Sequence, residues 1–160
     1  MQSHPCHFDA ILNAPFGALG VAVQHERLCG LTFLPAGTPR MHPGTPFLRR
    51  VEEELEAYYT DPAHVFGLPL APTGTPFRQR VWAALTAIPP GGVITYGELA
   101  RRVDSAPRAV GQAVGDNPIP IIIPCHRIVS ADGRLGGFNH SRTGFSLDIK
   151  RWLLTHEHAL

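Results

Sequence analysis

The stretch "NPIPIIIPCHRIV", Asn117 to Val129, places a cysteine, a histidine and an arginine at the end of an apolar, proline-rich approach. A thiol is a good nucleophile only as its thiolate, and apolar surroundings raise its pKa. A reactive Cys125 therefore needs donors or cations beside it, and His126 and Arg127 are residue types that supply them. In an extended segment consecutive side chains point to opposite faces, so a water or a third residue would have to link His126 to the thiol. The plainer alternative is a buried structural cysteine at a strand end; the Pro-Cys-His-Arg cluster weighs against it.

The elements that must position this cluster can be read from periodicity and caps. The first part of the chain reads as strands in "FDAILNA", "ALGVAVQ" and "RLCGLTFL", short and rich in β-branched or aromatic residues, which predicts a small antiparallel sheet. "TPFLRRVEEELEAYYTDP" then predicts a helix with Thr45 as N-cap, Pro46 at the first helical position, and Phe47, Val51, Leu55 and Tyr58 on one face. "TPFRQRVWAALTAIP" repeats the Thr-Pro start, with Phe77, Val81, Leu85 and Ile88 on its apolar face. "TYGELARRV" opens with Thr95 three residues before Glu98, a capping-box signature, and "PRAVGQAVG" follows across the tight "DSAP". Two short helices across a tight turn make a helix-turn-helix candidate. Ala109, Gly111 and Ala113 on the second helix would let its backbone approach a surface, with Arg108 projecting from its start.

The chain has 160 residues, 44% of them hydrophobic, enough for a globular core. Its charge is uneven: residues 1–76 carry four arginines against seven carboxylates, net −3, and residues 77–160 carry ten basic against six acidic residues, net +4. An anionic partner is expected at the second half. The change coincides with the loop "PLAPTGTP", so a domain boundary is expected near 70–76, giving an N-terminal α/β domain over 1–72 and a C-terminal domain over 73–160. The odd number of cysteines (Cys6, Cys29 and Cys125), with neither a signal-like start nor a membrane-length apolar run, predicts free thiols in a cytoplasmic protein with no membrane partner.

Taken together, "IPCHRIV", the preceding "GDNPIPI", the following "GRLGGF", "FRQRVWAALTAIPPGGVITYGELA", the Arg-Ala-Val-Gly of the second helix and the final "KRWLLTHE" resemble, in that order, the O6-alkylguanine-DNA alkyltransferases. The resemblance runs from about Phe77 to Glu157. It implies an α/β (α+β) protein with an alkyltransferase domain built on a helix-turn-helix. It also implies a DNA repair reaction in which Cys125 takes the alkyl group from O6-alkylguanine irreversibly, once per chain.

By the same resemblance His126 activates the thiol through a water, Glu157 orients His126, and Asn117 braces the turn that carries the cysteine. Tyr96 contacts the extruded base, Arg108 fills the vacated stack, and Ala109 and Gly111 lie in the minor groove, where sequence information is poor. Arg127, Ile128 and Phe138 would complete the substrate and DNA contacts. Double-stranded DNA with alkylated bases is the implied partner, the protein a monomer, and no cofactor is needed.

The chain departs from the family pattern after the Gly-Gly pair. Phe138 stands where a tyrosine is usual, and "NHSRTGFS" makes a longer path to Leu147. Cys6, His7, His25 and Cys29 suggest a metal site, but their spacing fits no zinc pattern and none is expected. A thiol hydrolase or transferase that turns over, and a helix-turn-helix binder without chemistry, are the competing readings.

Overall fold

The computed structural model describes residues 7–136 and 144–160. The chain divides into two compact units, Met1–Thr73 and Gly74–Leu160. The fold is mixed α and β.

The first unit is a three-stranded antiparallel sheet in the order β1 (Ala10–Ala14), β2 (Gly17–Gln24), β3 (Arg27–Leu34), followed by helix α1 (Pro46–Thr60). Burial alternates in β1, through Ala10 and Leu12, but runs unbroken over residues 18–22 of β2; Leu28 and Leu31 of β3 are also buried, as are Leu48, Val51, Leu55 and Tyr58 of α1. Phe16, in the β1–β2 turn, meets Tyr59 of α1 edge to face with ring centroids 6.0 Å apart. Thr45 caps α1 as expected, its Oγ1 accepting from the Leu48 amide at 3.2 Å. Phe47, expected on the apolar face, is only half-buried, and the stripe runs through Leu48.

The second unit contains helices α2 (Pro76–Thr86), α3 (Tyr96–Arg102), α4 (Pro107–Gly115) and α5 (Gly144–His156). Thr75 and Thr95 cap α2 and α3 through their hydroxyls, accepting from the amides of Arg78 at 3.2 Å and Glu98 at 3.1 Å. Helix α3 ends in a Schellman motif with Asp104 in the left-handed region (φ 56°): Ser105 N–H reaches the Ala100 carbonyl at 2.9 Å and Asp104 N–H the Arg101 carbonyl at 3.3 Å. That stop aims the chain into α4 and makes α3–α4 a helix-turn-helix pair.

Two features were not foreseen. Strands β4 (Ile94–Thr95) and β5 (Ile128–Val129) form a two-residue parallel pair. The cysteine does not sit on an extended segment: Cys125–Arg127 is one turn of 3-10 helix, closed by the Arg127 amide on the Pro124 carbonyl at 3.1 Å. Among the described residues, no helix is long and apolar enough to cross a membrane.

Candidate active site

The approach to Cys125 is a loop held from within. Asn117, two residues beyond the end of α4 and almost fully buried, donates from its side-chain amide to the Ile123 carbonyl at 2.8 Å and accepts from the Ile119 amide at 3.0 Å. The Ile123 amide returns to the Ile119 carbonyl at 3.0 Å, and the Cys125 amide to the Ile123 carbonyl at 2.8 Å. One side chain thus satisfies the Ile119 amide, which burial would otherwise orphan, and shares the Ile123 carbonyl with the Cys125 amide. At the centre of the loop Ile121 adopts φ 75°, a left-handed conformation that β-branched residues strongly avoid. Its side chain is buried together with those of Ile119 and Ile123.

The thiol of Cys125 is 2% exposed. Burial pushes its pKa up to about 11, against the opposing pull of a hydrogen bond from Asn117 and the positive charge of Lys150. Lys150, on α5, is itself buried; it donates to the Ile128 carbonyl at 2.6 Å and to the Leu135 carbonyl. Loss of hydration lowers its pKa to about 8, while the cysteine pulls it back up.

The two residues that follow Cys125 belong to a buried group of three. His126 Nε2 lies 2.8 Å from Glu157 Oε2, and Arg127 clamps the same carboxylate with Nε at 2.9 Å from Oε1 and Nη2 at 2.9 Å from Oε2. The remaining Nη1 of Arg127 donates to the Ile88 carbonyl at 2.5 Å. Glu157 is placed by the stop of α5, where Ala159 N–H reaches the Leu154 carbonyl at 2.8 Å around the left-handed His158. Burial lowers the pKa of His126 despite the upward pull of Glu157, so the neutral imidazole is favoured. A carboxylate only accepts, so Nε2 carries the proton and Nδ1 is left as a basic lone pair. That nitrogen has no hydrogen-bond partner among the described residues.

Cys125, His126, Glu157 and Asn117 are therefore gathered in one buried region. Arg127 and Ile128, expected to contact substrate or DNA, face the interior instead: the guanidinium is committed to Glu157 and Ile88, and Ile128 is fully buried opposite Ile94 in the β4–β5 pair. Arg108 and Ala109 lie exposed on α4, and a methyl group built on Gly111 would meet nothing within 4 Å. Tyr96, half-buried at the start of α3, approaches the backbone after the cysteine: a Cβ on Gly136 (φ 73°) would lie 3.5 Å from its ring. Phe138 lies outside the described residues, as do Cys6 and most of the long segment before α5. Among the described residues no group of three or more His, Cys, Asp or Glu could hold a metal ion, and Cys29 and Cys125 are free thiols.

Lys150 was missed, although a signal existed. Leu153 and Leu154 of α5, and Glu157 just beyond its end, follow Lys150 at spacings of three, four and seven, so a lysine and a glutamate share the apolar stripe.

The family model described as the DNA-binding domain of 6-O-methylguanine DNA methyltransferase matches residues 76–159. A methylated-DNA–protein-cysteine methyltransferase of Methanosarcina acetivorans is 39% identical over 157 residues, covering 94% of this chain and 97% of its own. That of Haemophilus influenzae is 41% identical, covering 90% and 82%. The crystal structure of Mycobacterium tuberculosis O6-methylguanine methyltransferase aligns with a TM-score of 0.79 at 36% identity, over 92% of this chain and 90% of that one. The structure of the Mycobacterium tuberculosis protein in complex with DNA aligns at 0.77. A domain match over more than half of the chain, with relatives and structures that span nearly all of it, shows that the chain belongs to the methylated-DNA–protein-cysteine methyltransferase family.

Proposed function

We propose that the protein repairs double-stranded DNA by moving the alkyl group of O6-alkylguanine onto Cys125. The observation that carries this reading is a buried thiol beside a neutral histidine whose Nε2 is fixed on a buried carboxylate, which leaves Nδ1 free to take a proton. Nδ1 of His126 accepts the thiol proton through a water, and Lys150 and Asn117 favour the thiolate that results. The sulfur attacks the alkyl carbon, the S–C bond forms as the C–O6 bond breaks, and the bonding pair leaves with guanine. Guanine then takes up one proton, balancing the one the thiol gave up. Atoms and charge close without a cofactor. The thioether has no route back to a thiol, so each chain acts once.

The target carbon lies inside the base stack, so the nucleotide must rotate out, at a cost of a few kcal/mol. The exposed start of α4 suits this step, in which Arg108 enters the vacated position while Ala109 and Gly111 offer a low profile to the minor groove. Nothing among the described residues requires glycine at 111, where the space is open, and glycine in a helix costs about 1 kcal/mol relative to alanine. The small residue is thus best explained by an outside partner. Tyr96 stands beside the extruded base. In this reading the second unit both reads DNA and performs the transfer, the protein acts as a monomer, and its thiol belongs in the cytoplasm, where cysteines stay reduced.

The test is incubation with a duplex oligonucleotide containing O6-methylguanine, followed by intact-protein and peptide mass measurement. One methyl mass on the Cys125 peptide is expected, and Cys125→Ser should gain none while still binding DNA. A methyl on another residue, or none on the unsubstituted protein, would contradict the reading.

A further inference from the structure

Helix α2 grips the ends of both helices of the helix-turn-helix pair. Its Trp82 is 2% exposed and donates from Nε1 to the Ala113 carbonyl at 2.8 Å. Ala113 lies in the last turn of α4, where helix carbonyls lack partners along the chain, so the indole caps an orphan acceptor. One turn earlier on α2, Arg78 Nη2 lies 2.6 Å from Oδ2 of Asp116, the residue that ends α4. Arg80 Nη2 donates at 3.0 Å to the carbonyl of Val103, the residue that ends α3. The indole occupies a fitted place: a Cβ on Gly74 would come within 2.5 Å of its ring.

The grip is applied just ahead of the cysteine loop. Asn117, which braces that loop, follows Asp116 directly. One end of α4 therefore carries Arg108, and the other continues into the Asn117 brace and on to Cys125. A change in the α4 end would alter the register between the two while leaving the hydrogen bonds inside the loop intact.

We propose that Trp82, assisted by Arg78, is a positioning residue of the transfer reaction: by fixing the C-terminal end of α4, it sets the DNA-reading helix at the distance and angle from Cys125 that duplex repair requires. The inference rests on the alkyl-transfer reading. It separates two substrates. A free alkylated base needs only the thiol and its pocket, whereas an alkylated duplex must also be engaged by α4.

The test compares second-order rates of Cys125 alkylation by a methylated duplex and by free O6-benzylguanine, at a temperature where each variant is fully folded. Trp82→Phe keeps an aromatic ring but removes the N–H donor. It should lose about tenfold on the duplex and less than about twofold on the free base. Arg78→Gln acts at a half-exposed pair and should lose about twofold on the duplex alone. In an Arg108→Ala background the duplex penalty of Trp82→Phe should shrink to less than about twofold, because the two residues act through one helix.

Equal losses on both substrates would assign Trp82 to general support of the fold and overturn the proposal, as would no loss on the duplex or a penalty undiminished by Arg108→Ala. If Trp82→Phe does not fold, Arg78→Gln decides by the same criterion. Failure of the unsubstituted protein to alkylate Cys125 with either substrate would instead indict the alkyl-transfer reading.

Discussion

The β2–β3 turn and the cysteine loop both force non-glycine residues into left-handed backbone, and the contrast between them shows what strain is for. In the turn, His25 (φ 52°) and Glu26 (φ 56°) are exposed, and the conformation does no more than reverse the chain between paired Gln24 and Arg27. The right-handed twist of the strands asks for this turn geometry, and asparagine and glycine satisfy it best. In the loop, Ile121 (φ 75°) carries a branched side chain that is 2% exposed, and Asn117 hydrogen-bonds the backbone on both sides of it. The turn's strain is incidental. The loop's strain is over-determined by burial and hydrogen bonding, the condition under which strained backbone persists at functional sites.

The sharpest way to break the contrast is Asn117→Ala. It leaves the Ile119 amide without its partner in a buried loop and takes one of two donors from the Ile123 carbonyl, which keeps the Cys125 amide, a loss of about 2 kcal/mol of stability. Alkylation of Cys125 should fall at least a hundredfold at temperatures where the variant is still folded, because the thiol also loses its Asn117 hydrogen bond. A folded variant with near-normal transfer would show that the loop holds its shape without the brace.

A second comparison isolates the strain itself. Ile121→Ala removes buried side-chain volume and should cost about 3 kcal/mol in denaturant unfolding. Ile121→Gly removes one carbon more, yet it also relieves the left-handed penalty, so it should be no less stable than the alanine variant. Transfer should nevertheless be slower with glycine, since the loop then samples conformations that misplace the thiol. Alanine more stable than glycine by the usual helix-like margin of about 1 kcal/mol would mean that the backbone at 121 is not strained.

The loop also differs from the turn in the charges buried around it, and these predict a pH response. With the Cys125 pKa up at about 11, the thiolate is a minority species near neutrality and transfer should accelerate as pH rises. Lys150 favours the charged sulfur. With its own pKa at about 8, Lys150 gives that support below this pH, so Lys150→Met should slow transfer below about pH 8, change it little well above, and so steepen the rise with pH. An unchanged rate below about pH 8 would remove Lys150 from the thiol's electrostatics.

The smallest effect belongs to the turn. His25→Asn with Glu26→Gly fits the left-handed geometry and should stabilise the protein by about 0.5–1 kcal/mol, read as a raised unfolding midpoint. Alkyl transfer should not change. A coupled change in transfer would mean that the turn is not incidental.

What could be read from the sequence was what local chemistry dictates. Thr45, Thr75 and Thr95 mark their helix starts because a cap is decided within three residues, and all three hydroxyls accept the expected amides. The neighbourhood of Cys125 was legible as a cluster of residue types. Its geometry was not: the 3-10 turn depends on Pro124 and the Asn117 brace, and an extended reading of the same letters placed Cys125 and His126 on opposite faces. The β4–β5 pair is too short to show alternation, and its partners lie far apart in sequence. The inward turn of Arg127 follows from a carboxylate thirty residues away, which no local pattern announces.

The central claim is that Cys125 accepts one alkyl group and keeps it. Its most direct test is titration of a fixed amount of protein with a large excess of O6-methylguanine duplex, counting methyl groups removed until the reaction stops. The account predicts a plateau at one per chain, set by protein concentration alone and matched by loss of the free Cys125 thiol. Continued removal beyond one equivalent, with the thiol regenerated, would contradict it and make this site a catalyst that turns over.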